Sequence, residues 1–514
     1  MAFAQRFFTV SGLTVASRLL GVVREVILIH FLGASVEMDA FTTAFKFPCF
    51  FRRFFAEGGF QSIFVPFFTD YYATGKINGS RCFVSRLFSL IFWAMLIVTV
   101  LIMVFAKEFT ILMAPGFLSD PAKLDLATKF TMVIFPSVLF VALSTVFSGI
   151  LLARKKFLLY SMGPIFVNVV LIIFLVSGQN LISAGWRISY GVLVAGIFLF
   201  FYMYYYVKRE GLPCPSLSSV KITSGIKLFL KKLTPILAGA GVAQINVFVG
   251  SMFASFLPTG CITYIYCADR FVQLPLAMFG ISMGIVLLPE IAEALSKKRA
   301  TDLKHIQNRS LLFTMRLTLP SVVGLVTLSY YMISLMYGHG KFTNDAVIRT
   351  SYVLKIVSLG LPAYVMTKVM SSVLFAQKDS RTPVVAAVVS IVTNILLSLI
   401  FIAPLKELGI ATANALSSFV NVYVMCRKTH WWSTVEKSQL KSLFKIVLAS
   451  VVMALCVFVL MLFFAPISKF EEAMFIISAC IIGLLTYAIS LYALKDSAIK
   501  ACFNVLRQKG NDVF

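Results

Sequence analysis

The sequence predicts an all-α, polytopic membrane protein with about fourteen transmembrane helices. Three observations support this fold class: mean hydropathy is +0.92, 59% of the 514 residues are hydrophobic, and only 13% are charged. This composition excludes an aqueous globular domain of this length. A spanning helix uses about 20 residues, so little of the chain is left for a soluble domain.

The charged residues predict the orientation of the helices. Basic residues in loops after even-numbered apolar segments outnumber those after odd-numbered segments several-fold. The positive-inside rule then places both termini in the cytoplasm and explains the net charge of +25 without nucleic acid. The predicted spans are 9–33, 37–69, 84–106, 127–152, 158–177, 183–207, 228–256, 261–294, 311–337, 347–376, 383–403, 407–426, 443–465 and 473–494.

Internal repetition predicts two lobes of six helices each. Phe64-Val65-Pro66 recurs as Leu287-Leu288-Pro289, and the surroundings of Asn168 recur around Asn394. Because each lobe holds an even number of helices, the pseudo-two-fold axis should run along the membrane normal, with a cavity between the lobes. The predicted parts are an N-lobe at 1–210, a C-lobe at 225–430, two further helices at 440–496 and a cytoplasmic tail at 497–514.

Five cations lie inside the first two apolar segments: Arg18, Arg24, Lys46, Arg52 and Arg53. A charge near the bilayer centre costs about 3 kcal/mol on insertion scales, so it normally faces a wet cavity or a partner. This cluster predicts a cavity that holds an anion. For Arg18 and Arg24, snorkelling of the side chain towards the membrane surface is the alternative.

Acidic residues near these cations predict ion pairs or gates. Asp39, Lys46 and Arg53 are seven residues apart and share one helical stripe, and Glu57 follows Arg53 by four residues. A purely structural ion-pair ladder is the alternative. In the eighth span, Asp269 and Arg270 are adjacent and point to different sides, so Arg270 could face the cavity while Asp269 holds a helix contact. A plain interfacial pair is the alternative there.

Helix-breaking residues within the spans predict hinges. They are Gly21, Pro48, Gly58, Gly59 and Pro275. Such residues are tolerated at membrane depth where neighbours or cavity water satisfy the freed backbone groups, and they allow a helix to bend. Ordinary kinks of membrane helices are the alternative.

The cations favour phosphate as the ligand. Guanidinium groups bind phosphate oxygens in pairs and stay charged at any relevant pH. Acid pairs for glycosyl transfer, Ser/His/Asp groupings and phosphate-binding GK[ST] loops do not occur at suitable positions, so binding and movement are predicted rather than enzymatic catalysis. The nine cysteines and four histidines are scattered, and no metal or cofactor site is predicted. The last two helices carry no deep charge and could form either a groove for a long lipid tail or a packing surface.

Several motifs together resemble the MurJ (MviN) family of lipid II flippases, of the multidrug, oligosaccharidyl-lipid and polysaccharide exporter superfamily. The resemblance covers essentially the whole chain, and the FRRxFAEG pattern is its most specific part. The motifs are SRLLGVVRE at 17–25, MDAFTTAFKFP at 38–48, FRRFFAEGGFQSIFVPFF at 51–68, YCADRFVQLP at 266–275 and GISMGIVLLPEIA at 280–292.

The resemblance implies a function in peptidoglycan synthesis, hence in cell-wall biogenesis and cell shape. It implies that undecaprenyl-diphosphate disaccharide-pentapeptide moves from the inner to the outer leaflet of the bacterial cytoplasmic membrane by alternating access, driven by membrane potential or ions. We expect a monomer. Exporters of another polyprenyl-linked glycan, or of drugs, are the alternatives within the superfamily. A membrane glycosyl transferase and a division scaffold are the alternatives outside it.

The resemblance also implies roles for individual residues. Arg18, Arg24, Arg52 and Arg270 match the family's cavity arginines, with Lys46 and Arg53 as further candidates, and Asp39 matches its essential outer-side acid. Where some relatives bind sodium through acids in the seventh and eleventh spans, this chain has Gly250 and Ser398. Asn394 is then the remaining candidate sodium ligand.

Overall fold

A computed structural model describes residues 2–56, 59–73, 77–178, 181–218, 221–283, 300–377, 381–429, 437–464 and 468–496, with a few single positions between them. In this part of the chain every regular element is helical, which confirms the predicted all-α class. The chain forms two compact units. The first is Met1–Thr263 with His339–Thr343, and the second is Tyr264–Gly338 with Asn344–Phe514. The predicted tail at 497–514 lies outside the described residues.

The helices of the first unit are α1 (Ala2–Leu32), α2 (Val36–Ala56), α3 (Gly59–Ala73), α4 (Ile77–Val104), α5 (Ala106–Met113), α6 (Pro121–Ile134), α7 (Pro136–Ala153), α8 (Phe157–Val176), α9 (Ala184–Arg209), α10 (Ser224–Ala254) and the first turn of α11 (Cys261–Pro275). The second unit continues α11 and adds α12 (Ala300–Thr327), α13 (Ser329–Tyr337), α14 (Asn344–Leu359), α15 (Leu361–Ala376), α16 (Arg381–Leu405), α17 (Glu407–Lys428), α18 (Lys437–Phe463) and α19 (Lys469–Ala493).

Ten helical stretches among the described residues are long and apolar enough to cross a membrane, so the chain is a multi-pass membrane protein. They match ten of the predicted spans. The other four predicted spans also contain helices. The span 9–33 coincides with α1, 37–69 with α2 and α3 together, and 228–256 with α10, and the span 261–294 begins with α11. The total of fourteen stays a prediction. The ten stretches are Gly79–Val104, Pro121–Ala153, Phe157–Val176, Ala184–Arg209, Ile306–Thr327, Asn344–Ala376, Arg381–Leu405, Glu407–Lys428, Lys437–Phe463 and Lys469–Ala493.

Phenylalanines of α3 form the centre of the core of the first unit. Phe60, Phe64 and Phe68 are spaced by four residues, are at most 1% exposed, and stack with ring centroids 5.3 Å and 5.8 Å apart. Gly149 of α7 faces them, and a Cβ there would lie only 2.4 Å from Phe64 Cδ1. The close approach of α3 and α7 therefore requires a glycine at this position.

The same core places α10 in the first unit. The Phe229 ring of α10 lies 5.7 Å from that of Phe60 and 5.6 Å from that of Phe67, measured between centroids. The sequence repeat instead assigns this helix to the lobe that begins at 225. Aromatic packing on α3 explains why the compact unit extends beyond the predicted lobe boundary. The lobes at 1–210 and 225–430 stay a prediction.

Five residues between α13 and α14 also belong to the first unit. The Lys341 amide donates to the His30 carbonyl at 3.0 Å, at the end of α1. Gly33 and Gly340 both have positive φ, and a Cβ on Gly33 would meet the Lys341 carbonyl oxygen at 2.3 Å. A Cβ on Gly340 would meet the His30 carbonyl oxygen at 2.4 Å. These two glycines thus allow the backbone at the end of α1 to pack directly on the backbone of the segment between α13 and α14.

In the second unit, hydrogen bonds and ion pairs attach α19 to α12 at one end and to α13 at the other. At one end Asp496, 1% exposed, accepts from Arg316 at 3.1 Å, and the Tyr487 hydroxyl donates to the Arg316 carbonyl at 2.8 Å. At the other end Glu472 accepts from the Ser334 hydroxyl at 2.9 Å and pairs with Lys469 at 3.0 Å. These contacts fix the last helix to the second unit.

Replacing Asp496 with alanine should destabilise this attachment. Arg316, whose side chain is 13% exposed, would lose the carboxylate that compensates its charge. Breaking a buried pair by removing one partner costs about 3 kcal/mol or more. Thermal unfolding of the purified full chain in detergent should show the loss. Asp345→Ala is the control, because that carboxylate is 70% exposed in its pair with Arg349. Equal effects of the two substitutions would contradict the prediction.

The predicted hinge residues occupy different kinds of position. Pro275 ends α11, and a π-helical turn at Leu276–Ile281 follows it, an irregularity often found at functional sites. Gly59 begins α3, whereas Gly58 and Glu57 lie outside the described residues. α1 passes through Gly21, and α2 through Pro48, without a break. Bending at these positions stays a prediction.

Candidate functional site

The first unit encloses a cavity of about 670 Å³ between α1, α2, α7, α8 and α9. Three of the predicted cations line it, Arg18 and Arg24 from α1 and Arg52 from α2, together with Pro48. No aspartate or glutamate is among the described residues that line it. Hydroxyl groups and one amide supply most of the remaining polar lining: Thr14, Ser17, Ser137, Ser144, Thr145, Ser148, Tyr160, Ser161 and Asn168.

Arg18 and Arg52 are the exposed cations of the cavity. Within the part of the chain that the structure describes, Arg18 has no hydrogen bond or ion pair. Both side chains are therefore placed to meet a ligand. Two guanidinium groups on separate helices offer donors from two directions, an arrangement suited to the oxygens of a phosphate group.

Arg24 is held more firmly than Arg18. Its side chain is 16% exposed, and Nη2 donates to the Glu25 carboxylate at 2.5 Å while Nη1 donates to Asn168 Oδ1 at 3.1 Å. Asn168 Nδ2 in turn donates to the Ser17 carbonyl at 3.2 Å. Glu25, 6% exposed, was not among the predicted site residues, although an acid directly after Arg24 in an apolar run was a visible signal.

Replacing Asn168 with aspartate should weaken the site more than replacing it with alanine. Alanine removes one hydrogen bond from Arg24, worth about 1–3 kcal/mol for a charged donor. Aspartate adds a second carboxylate beside the same guanidinium and an anion to the cavity lining. Binding of inorganic diphosphate to the purified full chain should therefore fall from wild type through Asn168→Ala to Asn168→Asp. The reverse order would contradict an anion-binding cavity.

Asp39 is fully buried and joins three parts of the first unit. Its Oδ2 accepts from Lys123 Nζ of α6 and from the Gly260 amide, each at 2.8 Å. Its Oδ1 accepts from the Thr263 hydroxyl at 2.8 Å and from the Thr263 amide at 3.2 Å. The carboxylate therefore caps the N-terminal turn of α11, where the backbone amides and the helix dipole favour a negative charge.

Asp39 and Lys46, which share a stripe of α2, have different partners. Asp39 pairs with Lys123 rather than with Lys46, and Lys46 Nζ donates to the Ser251 hydroxyl of α10. Lys46 is not among the residues that line the cavity. Side-chain spacing put Asp39 and Lys46 on one face of α2, but different neighbouring helices cover the two ends of that face. The side chain of Arg53 lies outside the described residues.

The second unit contains the remaining predicted residues. Arg270 of α11 donates through Nη2 to the Tyr266 hydroxyl at 2.6 Å, and its guanidinium lies 4.4 Å from the centre of the Tyr266 ring. Asp269 beside it is half-buried. Asn394 is 1% exposed and accepts from the Ser398 hydroxyl at 3.3 Å. Among the described residues, no group of three or more His, Cys, Asp or Glu side chains could hold a metal ion.

Two further charged residues with structural partners, one half-buried and one buried, were missed because they look like ordinary segment ends in the sequence. Glu37 accepts from the Gly185 amide at 3.1 Å, at the start of α9. Arg187, 5% exposed, donates to the carbonyls of Leu175 and Ser177 at the end of α8. Both satisfy helix ends, which is a structural role.

The sequence is similar to that of known membrane transport proteins. A family model described as lipid II flippase MurJ matches residues 28–484. A probable lipid II flippase MurJ of Rhizobium meliloti (strain 1021) is 33% identical over 469 residues, covering 89% of this chain and 87% of that protein. A probable lipid II flippase MurJ of Vibrio cholerae serotype O1 is 31% identical over 429 residues, covering 82% of each.

Solved structures agree with these matches. A structure of lipid II flippase MurJ in an inward closed conformation is similar with a TM-score of 0.79 and 28% identity, covering 94% of this chain and 97% of that one. An inward-facing multidrug resistance MATE family transporter of the MOP superfamily shares the fold, with a TM-score of 0.65 and 13% identity, covering 81% and 95%. The family model and the curated relatives each cover most of the chain, which therefore belongs to the MurJ family of lipid II flippases.

Proposed function

We propose that this protein is a transporter, not an enzyme, and moves lipid II from the cytoplasmic to the outer leaflet of the bacterial cytoplasmic membrane. Lipid II is here the undecaprenyl-diphosphate-linked disaccharide-pentapeptide. One observation carries the proposal: three arginines and no described acid line a cavity within the membrane-embedded first unit. Membership of the MurJ family supports the choice of lipid.

A diphosphate is the part of this lipid that the cavity would recognise. It carries negative charge on both phosphate groups, and crossing the bilayer would remove that charge from water. Arg18 and Arg52 would supply exposed guanidinium donors, and Arg24 a third donor that Glu25 and Asn168 hold in place. Hydrogen bonds between charged groups are roughly twice as strong as neutral ones, so several such contacts would offset the lost hydration.

Transport would then proceed by alternating access. The inward-open cavity binds the diphosphate while the polyprenyl tail stays in lipid, and the protein rearranges to open outward. Arg270 would join the other arginines during this cycle, and α18 with α19 would guide the tail. Membrane potential or ions would drive the cycle, because moving one charge through 100 mV is worth about 2.3 kcal/mol.

The remaining assignments follow the same proposal. Both termini would lie in the cytoplasm, as the basic loops indicate, and the protein would act as a monomer without nucleic acid. A drug exporter for cationic compounds fits less well, because acids would be needed where the described cavity lining has arginines. The proposal gives Asp39 the role of an outer-side gate residue, since the predicted topology places the start of α11 on the outer face.

A leaflet-accessibility assay of labelled lipid II tests the proposal directly. Cells depleted of their own flippase and carrying this gene should expose labelled lipid II at the outer leaflet, and cells with an empty vector should not. A variant with alanine at Arg18, Arg24 and Arg52 is the matched control for expression. If the wild-type chain reaches the membrane and labelled lipid II stays inside, the proposed function is wrong.

A further inference from the structure

Lys123 is a buried cation to which the proposed function gives no role. It lies in the first turn of α6 and is 4% exposed, and its Nζ is 4.7 Å from the centre of the Phe117 ring. Asp120, the N-cap of α6, accepts from the backbone amide of Lys123 at 3.1 Å. A lysine in a first turn opposes the positive end of the helix dipole, so α6 itself gives no reason for this cation.

Asp39 supplies that reason. The Lys123 ammonium and the Asp39 carboxylate are 2.8 Å apart, with side chains 5% and 0% exposed. The same carboxylate accepts from the amides of Gly260 and Thr263 at the start of α11. An ionised carboxylate with no access to water needs a full counter-charge, because helix amides supply only partial charge. Lys123 thus compensates the charge of the Asp39 carboxylate, whose oxygens accept the hydrogen bonds from α11.

We propose that Lys123 is a positioning residue that pairs with the Asp39 carboxylate and holds it against the first turn of α11. The pair holds that turn against α2 and α6, and the turn is released when the pair loosens. This inference rests on the proposed function, in which the outer ends of the helices separate during transport. Charge, rather than side-chain volume or a hydrogen bond alone, gives Lys123 this role.

Cys261 is a native reporter for release of the turn. It is the first residue of α11 and is fully buried, directly between the two amides that Asp39 binds. Cys267, also fully buried and deeper in the same helix, is an internal reference. The experiment treats the purified full chain with a water-soluble maleimide and measures the labelling rates of both cysteines by mass spectrometry.

Four variants separate charge from structure. Lys123→Gln keeps a donor but loses the charge, and should raise Cys261 labelling about tenfold or more while Cys267 stays protected. Lys123→Arg keeps the charge and should remain near wild type. Asp39→Asn combined with Lys123→Gln leaves no buried charge to compensate but keeps an amide oxygen that can accept from the α11 amides, so it should restore part of the protection of Cys261. Lys129→Gln is the control, since Lys129 lies on α6 with an exposed partner, Asp125.

Two results would overturn the inference. One is a Lys123→Gln variant whose Cys261 is as protected as in wild type. The other is a double variant that is labelled as fast as Lys123→Gln, which would indicate a packing role without regard to charge. The labelling needs no lipid II. Failure of wild-type protein in the leaflet assay would therefore refute the proposed function without altering this test.

Discussion

Replacing Arg18 with alanine should abolish growth of flippase-depleted cells while leaving the protein folded in the membrane. Arg18 is exposed to the cavity and, within the described residues, has no hydrogen bond or ion pair to lose. Each lost hydrogen bond to a charged phosphate costs about 1.5–3 kcal/mol, or about 10- to 150-fold in binding. Complementation, together with binding of lipid II to the purified variant, measures the effect.

Two controls distinguish charge from geometry at this position. Arg18→Lys keeps a cation but loses the paired donors, so it should retain part of the binding. Lys129→Ala removes an exposed cation of α6 whose partner, Asp125, is also exposed, and it should leave growth unchanged. Full growth and unchanged lipid II binding in Arg18→Ala would contradict the role of this arginine.

Replacing Asp39 with alanine should cause the largest loss of stability. Lys123 would remain buried without its counter-ion, and the amides of Gly260 and Thr263 would lose their acceptor. Removing one member of a buried pair costs about 3–5 kcal/mol. Thermal unfolding of the purified chain should show the loss, and growth should fail.

A second substitution checks the cause of that loss. Adding Lys123→Met to Asp39→Ala removes the unpaired charge and should recover part of the stability. Asp125→Ala should have almost no effect, because Asp125 is 61% exposed in its pair with Lys129. If the double variant were no more stable than Asp39→Ala, the buried lysine would not be the source of the loss.

Hydropathy alone was enough to predict the fold class, because the bilayer admits only helices or closed barrels and long apolar runs favour helices. The charged residues within apolar segments were equally useful for predicting which side chains line the cavity. Arg18, Arg24 and Arg52 stood out because a cation in an apolar segment is costly, and the structure places all three around one cavity.

The partners of these charges could not be predicted. Asp39 and Lys123 are 84 positions apart, and Lys46 and Ser251 are 205 apart, so only tertiary packing brings them together. Helical spacing tells which residues share a face but not which helix covers it. Lys123 looked like an ordinary outer-loop cation, since its helix begins only two residues earlier at Pro121.

The segment at His339–Thr343 has a consequence for biogenesis. The end of α1 packs on backbone that the ribosome makes about 300 residues later, so the start of the chain has to wait for this contact during membrane insertion. Contacts between such distant residues are slow to form. Translation arrested before Gly338 would leave Gly33 and His30 without these contacts. Half-length chains, such as residues 1–263 alone, should consequently be short-lived in the cell.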